Sequence, residues 1–265
     1  MPHVIITGGS SGIGLAIAEL YHARGWRVSL LARGEEMLDM AAQKLKHARG
    51  SGEDRVFWAS ADVSDERAVQ SAISRAEAMH GPCDVIVASA GRVDPQDFDV
   101  QSSQIFESQL RVNFLGTVYA IRAVLQGMKQ RRSGTIVAIS SGAAMIGIPG
   151  YSAYCASKSA LVGFVEALRA ELSQSGVKVC ITFPPDTLTP QYEREIALRS
   201  DLAQTLMGTV SPWPVDRVAR KIVAGVGEGR RAVHFGIALT LMSFFAPFIK
   251  PVLFWRMRRL SGRSL

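Results

Sequence analysis

The sequence predicts a doubly wound α/β fold, with a parallel sheet between two layers of helices. Three observations predict it. Six short runs, at residues 4–7, 28–32, 56–60, 85–88, 135–140 and 177–183, are apolar enough to read as strands buried on both faces. Segments of helical period lie between them, at 13–24, 35–48, 66–79, 103–130 and 153–174. Strand and helix alternate throughout a chain of 265 residues with 48% hydrophobic content, which suits one large αβα domain.

The first strand runs into Thr7-Gly8-Gly9-Ser10-Ser11-Gly12-Ile13-Gly14. Glycine permits positive φ in a tight turn and lets a phosphate approach the backbone. The helix opening there offers free N–H groups and the positive end of its dipole. Between a first strand and a first helix, this Gly-x3-Gly-x-Gly spacing reads as a dinucleotide cradle made by Gly8, Ser10, Ser11, Gly12, Ile13 and Gly14, in preference to an ordinary Gly/Ser loop. The second strand ends in Leu30-Leu31-Ala32-Arg33. An acid at that place binds the ribose 2′-hydroxyl of NAD, whereas an arginine pairs with a 2′-phosphate, so NADPH is the expected cofactor. Asp62, after the third strand, is placed to accept from the adenine amine, with Val63 beside it; a turn or capping role is the alternative. The fourth strand ends in Ser89-Ala90-Gly91. Asn113 follows in mid-helix, a mild misfit of propensity. Gly25, Gly50-Ser51-Gly52, Gly81-Pro82 and Gly176 punctuate the joints.

The fifth strand ends in Ser140-Ser141, and Tyr154 and Lys158 follow four residues apart on one helix face. The pair alone is weak, since 5 tyrosines and 7 lysines give such a spacing by chance in roughly one chain in eight. Tyr151 has Cys155 four residues on, so Tyr154 is the tyrosine with the lysine.

With these residues in view, the chain resembles the short-chain dehydrogenase/reductases. The resemblance runs through the glycine turn, Asp62, Ser89-Ala90-Gly91, Asn113, Ser141 and Tyr154-Cys155-Ala156-Ser157-Lys158, and covers roughly residues 3 to 230. It implies a Rossmann-like fold and reduction of a ketone. Tyr154 would protonate the carbonyl oxygen, its phenol lowered from a pKa near 10 by the Lys158 ammonium. Lys158 would also hold the nicotinamide ribose, Ser141 would donate to the substrate carbonyl, and Asn113 would position a water linking Lys158 to solvent. Ala90, Gly91, Pro184, Thr187 and Thr189 would line the cofactor, Thr189 on the carboxamide. A homodimer or homotetramer is implied as well.

Two departures from the family pattern stand out. Ser89 replaces the usual Asn, which implies a local change of hydrogen bonding, and Pro185 replaces a Gly. The string Pro184-Pro185-Asp186-Thr187-Leu188-Thr189-Pro190 resembles the subgroup of 3-ketodihydrosphingosine reductases, implying a long-chain lipid ketone as substrate. Asp186 would then either pair with the substrate amine or form the turn. Another ketone, such as a 3-ketoacyl thioester or a steroid, is the alternative substrate. A nucleotide-binding membrane scaffold without turnover is the alternative of another class.

The net charge of +7 is confined to one end. The last acid is Glu228, and beyond it lie Arg230, Arg231, Lys250, Arg256, Arg258, Arg259 and Arg263. The balanced remainder does not suit a nucleic-acid binder. Residues 236–255 are apolar and rich in Phe, and Pro247 and Pro251 interrupt them. The expected division is 1–231 as the reductase domain and 232–265 as a tail. An interfacial helix pair on an anionic membrane surface is expected of that tail. Packing over the active site or in a dimer, or spanning the membrane, are the alternatives. His3, His22, His47, His80 and His234 make no metal-ligand spacing, and Cys83, Cys155 and Cys180 make no disulfide framework. No metal is expected. The N-terminus reads as a strand entering a glycine turn and not as a signal peptide, so a cytoplasmic protein, peripheral on a membrane, is expected.

Overall fold

Strands of Val, Ile, Leu and Ala that alternate sides can be buried only if helices cover both faces of the sheet, and the chain supplies them. The computed structural model describes residues 1–47, 55–207 and 211–261. In chain order it runs β1 His3–Thr7, α1 Gly12–Ala23, β2 Arg27–Ala32, α2 Glu35–His47, β3 Val56–Ser60, α3 Glu66–His80 and β4 Val85–Ala88. There follow α4 Ser103–Leu110, a π-helical turn Arg111–Leu115, α5 Gly116–Arg131, β5 Gly134–Ile139, a 3-10 turn Gly142–Ala144, α6 Ser152–Glu171 and β6 Val177–Phe183. The last part holds β7 Thr187–Leu188, α7 Pro190–Ile196, α8 Asp201–Met207, β8 Trp213–Pro214, α9 Val215–Gly227, β9 Ala232–His234 and α10 Gly236–Ser261.

The main sheet is parallel, in the order β3-β2-β1-β4-β5-β6-β9. Period-two alternation divides its side chains between two cores. Ile5, Ile86, Ile136, Ala138 and Ile181 face α3, α5 and α6. Val4, Ile6, Val87, Val137 and Cys180 face α1, α2 and α9. The chain winds outward in both directions from the β1–β4 junction, which opens a crevice at the carboxyl ends of these strands.

Three features differ from the sequence reading. The long helix expected over 103–130 is broken by the π turn at Arg111–Leu115, which carries Asn113. The sheet continues past Arg231, because Ala232–His234 pairs with β6 as a seventh strand. Three residues are too short for a periodicity to show. The tail is helical, but Phe245 (φ −116°, ψ 18°) divides it into two segments. Pro247 cannot donate to the carbonyl four residues back, which accounts for the break. The Gly50-Ser51-Gly52 joint, the last residue of the helix expected over 35–48, and Arg263 lie outside the described residues.

Candidate active site

Every site residue expected from the sequence, Asn113 excepted, lines one cleft of ≈ 390 Å³ at the carboxyl ends of the strands. The glycine turn forms its floor. Gly8 has φ +69°, and a Cβ there would stand 2.8 Å from the Ala90 backbone. A Cβ on Gly14 would come within 2.3 Å of the Gly8 carbonyl oxygen, so these two positions must be glycine for α1 to start this close to β4. Ser11 caps α1 without a side-chain hydrogen bond, and no acid lies in the first helical turn, so the helix N-terminus faces the cleft with its N–H groups open. Arg33 is exposed at the rim. Asp62 Oδ1 accepts from the Ser64 amide (2.9 Å) and hydroxyl (2.8 Å). Burial works against ionising Asp62, but the two Ser64 bonds and the Arg33 charge outweigh it and hold the carboxyl below its ordinary value.

The turn after β4 is tied to β1 by backbone and Thr7, since the Ser89 amide donates to the Thr7 carbonyl (3.2 Å) and the Ala90 amide to the Thr7 hydroxyl (3.3 Å). Asn113 lies behind the cleft, fully buried. Its Oδ1 accepts from the Arg92 amide at 2.7 Å, while its Nδ2 donates to the Arg92 carbonyl and to Ser157 Oγ, each at 2.9 Å. The side chain therefore clamps the loop after Gly91 against α6, a role the sequence did not suggest. The π turn swings Asn113 inward there, as such insertions do at functional sites.

Tyr154 and Lys158 rise from the first turns of α6. Lys158 is 4% exposed and its Nζ donates to the Ile139 carbonyl at 3.0 Å. It stands 5.7 Å from the centroid of the Tyr154 ring. Burial pushes the Lys158 ammonium down to about 8. The expected depression of the Tyr154 phenol by Lys158 is not what the structure has. Burial raises the phenol, the Glu195 charge raises it further, and the nearby Ser141 hydroxyl pulls the other way. Ser140 Oγ donates to the Lys158 carbonyl at 3.0 Å and locks α6 to the end of β5.

The family model for short chain dehydrogenase matches residues 2–197. The chain belongs to this family. The "3-ketodihydrosphingosine reductase" of Bos taurus is 37% identical over 228 residues, spanning 86% of this chain and 69% of the relative. The "3-dehydrosphinganine reductase" of Danio rerio is 35% identical over 251 residues, spanning 94% and 76%. Among solved structures, an actinorhodin polyketide ketoreductase with NADPH has a TM-score of 0.80 at 26% identity, covering 90% of this chain and 97% of that one.

As a short-chain dehydrogenase the protein is an oxidoreductase acting on a ketone or CH–OH group, and its cleft fits a nicotinamide dinucleotide. The open α1 N-terminus and the space that only glycine leaves at Gly8 and Gly14 are where a pyrophosphate would lie. Some polar groups expected in the site are engaged elsewhere. Thr187 Oγ1 donates to the Pro185 carbonyl at 2.7 Å, and Thr189 Oγ1 caps α7 by accepting from the Tyr192 amide at 3.2 Å. Asp186 lies in the bend after Pro185, and its side chain has a partner that the sequence reading did not name. Its Oδ2 takes a 2.8 Å ion pair from Arg199, whose side chain is only 1% exposed. Arg199 also pairs with Glu195 Oε1 at 2.7 Å, and that oxygen accepts from the Tyr151 hydroxyl at 2.8 Å. Sequence reasoning missed this Asp186–Arg199–Glu195–Tyr151 network. The i,i+4 spacing of Glu195 and Arg199 was visible, but nothing local tied either to Asp186 or Tyr151.

Proposed function

We propose that the enzyme uses NADPH to reduce the ketone of a long-chain 2-amino-3-ketone, 3-ketodihydrosphingosine, to the alcohol. The observation that carries the reaction is the meeting of Tyr154, Ser141 and Lys158 in one cleft, with Lys158 Nζ 5.7 Å from the centroid of the Tyr154 ring. Bound in the cleft, the nicotinamide would supply a hydride for the carbonyl carbon. Ser141 donates a hydrogen bond that fixes the carbonyl oxygen, and Tyr154 delivers the proton to that oxygen as negative charge develops on it. Lys158, mostly charged at neutral pH, stabilises the phenolate left behind and holds the nicotinamide ribose. Asn113 keeps the Gly91 loop and α6 in register around them.

The names of the relatives, found over most of the chain, support the substrate. So does the apolar cluster of Val93, Ile148, Ala203, Leu206 and Met207 packed around Tyr151 and Tyr154, a fitting bed for an alkyl chain. Arg33, at the cleft rim just after β2 where a dinucleotide fold holds the adenosine ribose, supports NADPH over NADH. The exposed apolar face of α10 and its basic end support a peripheral place on an anionic membrane. The test is NADPH oxidation by the full chain in detergent. The long-chain amino ketone is expected to be reduced with higher kcat/KM than short 3-ketoacyl thioesters, and Tyr154→Phe to abolish turnover. The Arg33→Asp variant is expected to lose roughly 10- to 100-fold of the preference for NADPH, the worth of one charge-assisted phosphate contact. Faster reduction of the thioesters would overturn the substrate, and equal wild-type affinity for the two cofactors would overturn the Arg33 role.

A further inference from the structure

Glu195 is the residue of the missed network that reaches the reacting end of the cleft. It lines the cleft together with Tyr154, and its charge raises the Tyr154 phenol. Its side chain is 12% exposed. Oε1 is spent on Arg199 and Tyr151, which fix the direction of the carboxylate. Among the described residues, Oε2 has no hydrogen-bond partner. Arg199 is the one cation in the network and faces two carboxylates, Asp186 at 2.8 Å and Glu195 at 2.7 Å. The group therefore holds one negative charge without a counterion, in a largely buried place where an uncompensated charge is costly. The Glu195 carboxyl is correspondingly raised above its ordinary value, burial being the cause that outweighs its bonds to Arg199 and Tyr151.

In a 2-amino-3-ketone the ammonium sits on the carbon next to the carbonyl. With the carbonyl oxygen on Tyr154 and Ser141, the ammonium must fall within a side chain's reach of the phenol. We propose that Glu195 is the specificity-determining residue that receives this ammonium, oriented by Arg199 and Tyr151, while Asp186 serves to hold Arg199. The assignment rests on the amino-ketone reading above. The ammonium completes the missing charge, and it also removes the field that Glu195 imposes on Tyr154. The phenol then becomes a readier acid when an amine-bearing ketone is bound. A ketone without the amine leaves the two carboxylates to share the single Arg199 cation, which discriminates against it.

The experiment compares kcat/KM for the long-chain amino ketone, its N-acetyl derivative and a ketone of equal length without nitrogen, using the full chain with NADPH in detergent. The wild type is expected to prefer the amino ketone over both analogues at least tenfold. Glu195→Gln keeps the size and the acceptor oxygen, and is expected to lower the ratio of amino ketone to amine-free ketone at least tenfold. Asp186→Asn is expected to lower that ratio by a smaller factor. Because Glu195 also braces Tyr151, a Glu195 variant that fails to fold leaves the wild-type comparison to decide. An equal loss on both ketones in Glu195→Gln, a selective loss in Asp186→Asn alone, or no wild-type preference for the free amine would each overturn the assignment. Failure of the wild type to reduce any of the three ketones would instead overturn the substrate reading, and the Glu195 role with it.

Discussion

Lys158 is charged at neutral pH only against the resistance of its surroundings. It is 4% exposed, and its pKa is pushed from 10.5 down to about 8. Between those values the unfolded chain binds a proton that the folded chain does not, so wild-type stability rises with pH across that window. Below about 8 the folded protein carries the full cost of a buried ammonium. Lys158→Met is therefore expected to stabilise the fold at pH 7 by about 1–3 kcal/mol while destroying turnover, and the advantage should shrink toward pH 10. Thermal melts of both proteins at the two pH values check this. An advantage that did not change with pH would mean that side-chain packing, and not charge, sets the difference. The sequence made Tyr154, Lys158, Ser141 and the glycine turn legible because each lies next to a strand end or within one helix turn of its partner. Glu195 and Arg199 were not legible. Their partners Asp186 and Tyr151 are brought to them by the turn after β6 and the start of α6, a tertiary closure with no local spacing.

At the scale of elements, the first six strands fell where their apolar runs put them, since strands buried on both faces can be little else. The π turn at Arg111–Leu115 could not be read, because one extra residue in a helix hardly disturbs an apolar period. The far end of the sheet holds a buried histidine with a consequence for stability. His3 opens β1, and its Nδ1–H donates to the Gly81 carbonyl at 2.8 Å. Its Nε2 lies 2.8 Å from Ser29 Oγ, which stands 3.3 Å from His80 Nδ1. A neutral ring satisfies this chain of bonds, with the Ser29 hydroxyl donating to Nε2. Burial first, with the His80 and Arg27 charges, lowers the His3 pKa to about 4, against the Gly81 bond and Asp84, which raise it. Between about 4 and the ordinary 6.5 the unfolded chain binds the extra proton, so this contribution is present above pH 6.5 and is lost as pH falls toward 4. Lowering the pH from 7 to 5 is expected to cost about 1–2 kcal/mol through His3. Denaturant melts should show His3→Gln with a flatter dependence over that range, and identical slopes in the two proteins would count against the histidine as the cause.

On the scale of the whole molecule, the chain is a closed αβα body with an apolar helix left uncovered. Residues Gly236–Trp255 have a mean hydropathy of 1.8 and are long enough to cross a membrane by length and composition alone. Ile237, Phe244, Phe248 and Val252 are 64–80% exposed. The break at Phe245 suits a helix lying on a surface. The full chain is expected to sediment with anionic vesicles, less so as salt rises. Phe244→Ser with Phe248→Ser should reduce binding at least fivefold without changing the melting temperature. Protein that stayed in the supernatant at low salt would show that α10 has a structural task only.

The two tasks meet at Gly142, the residue after Ser141. A Cβ there would stand 2.9 Å from Cδ2 of Leu239 in the first turns of α10, and Met242 packs on the core nearby. The base of the tail thus rests on the loop that presents Ser141 to the ketone. A shift of the helix base would therefore press on the serine loop. A helix that settled on a bilayer would bring that bilayer to bear on the serine loop. The same ketone presented in different vesicles would meet slightly different catalysts.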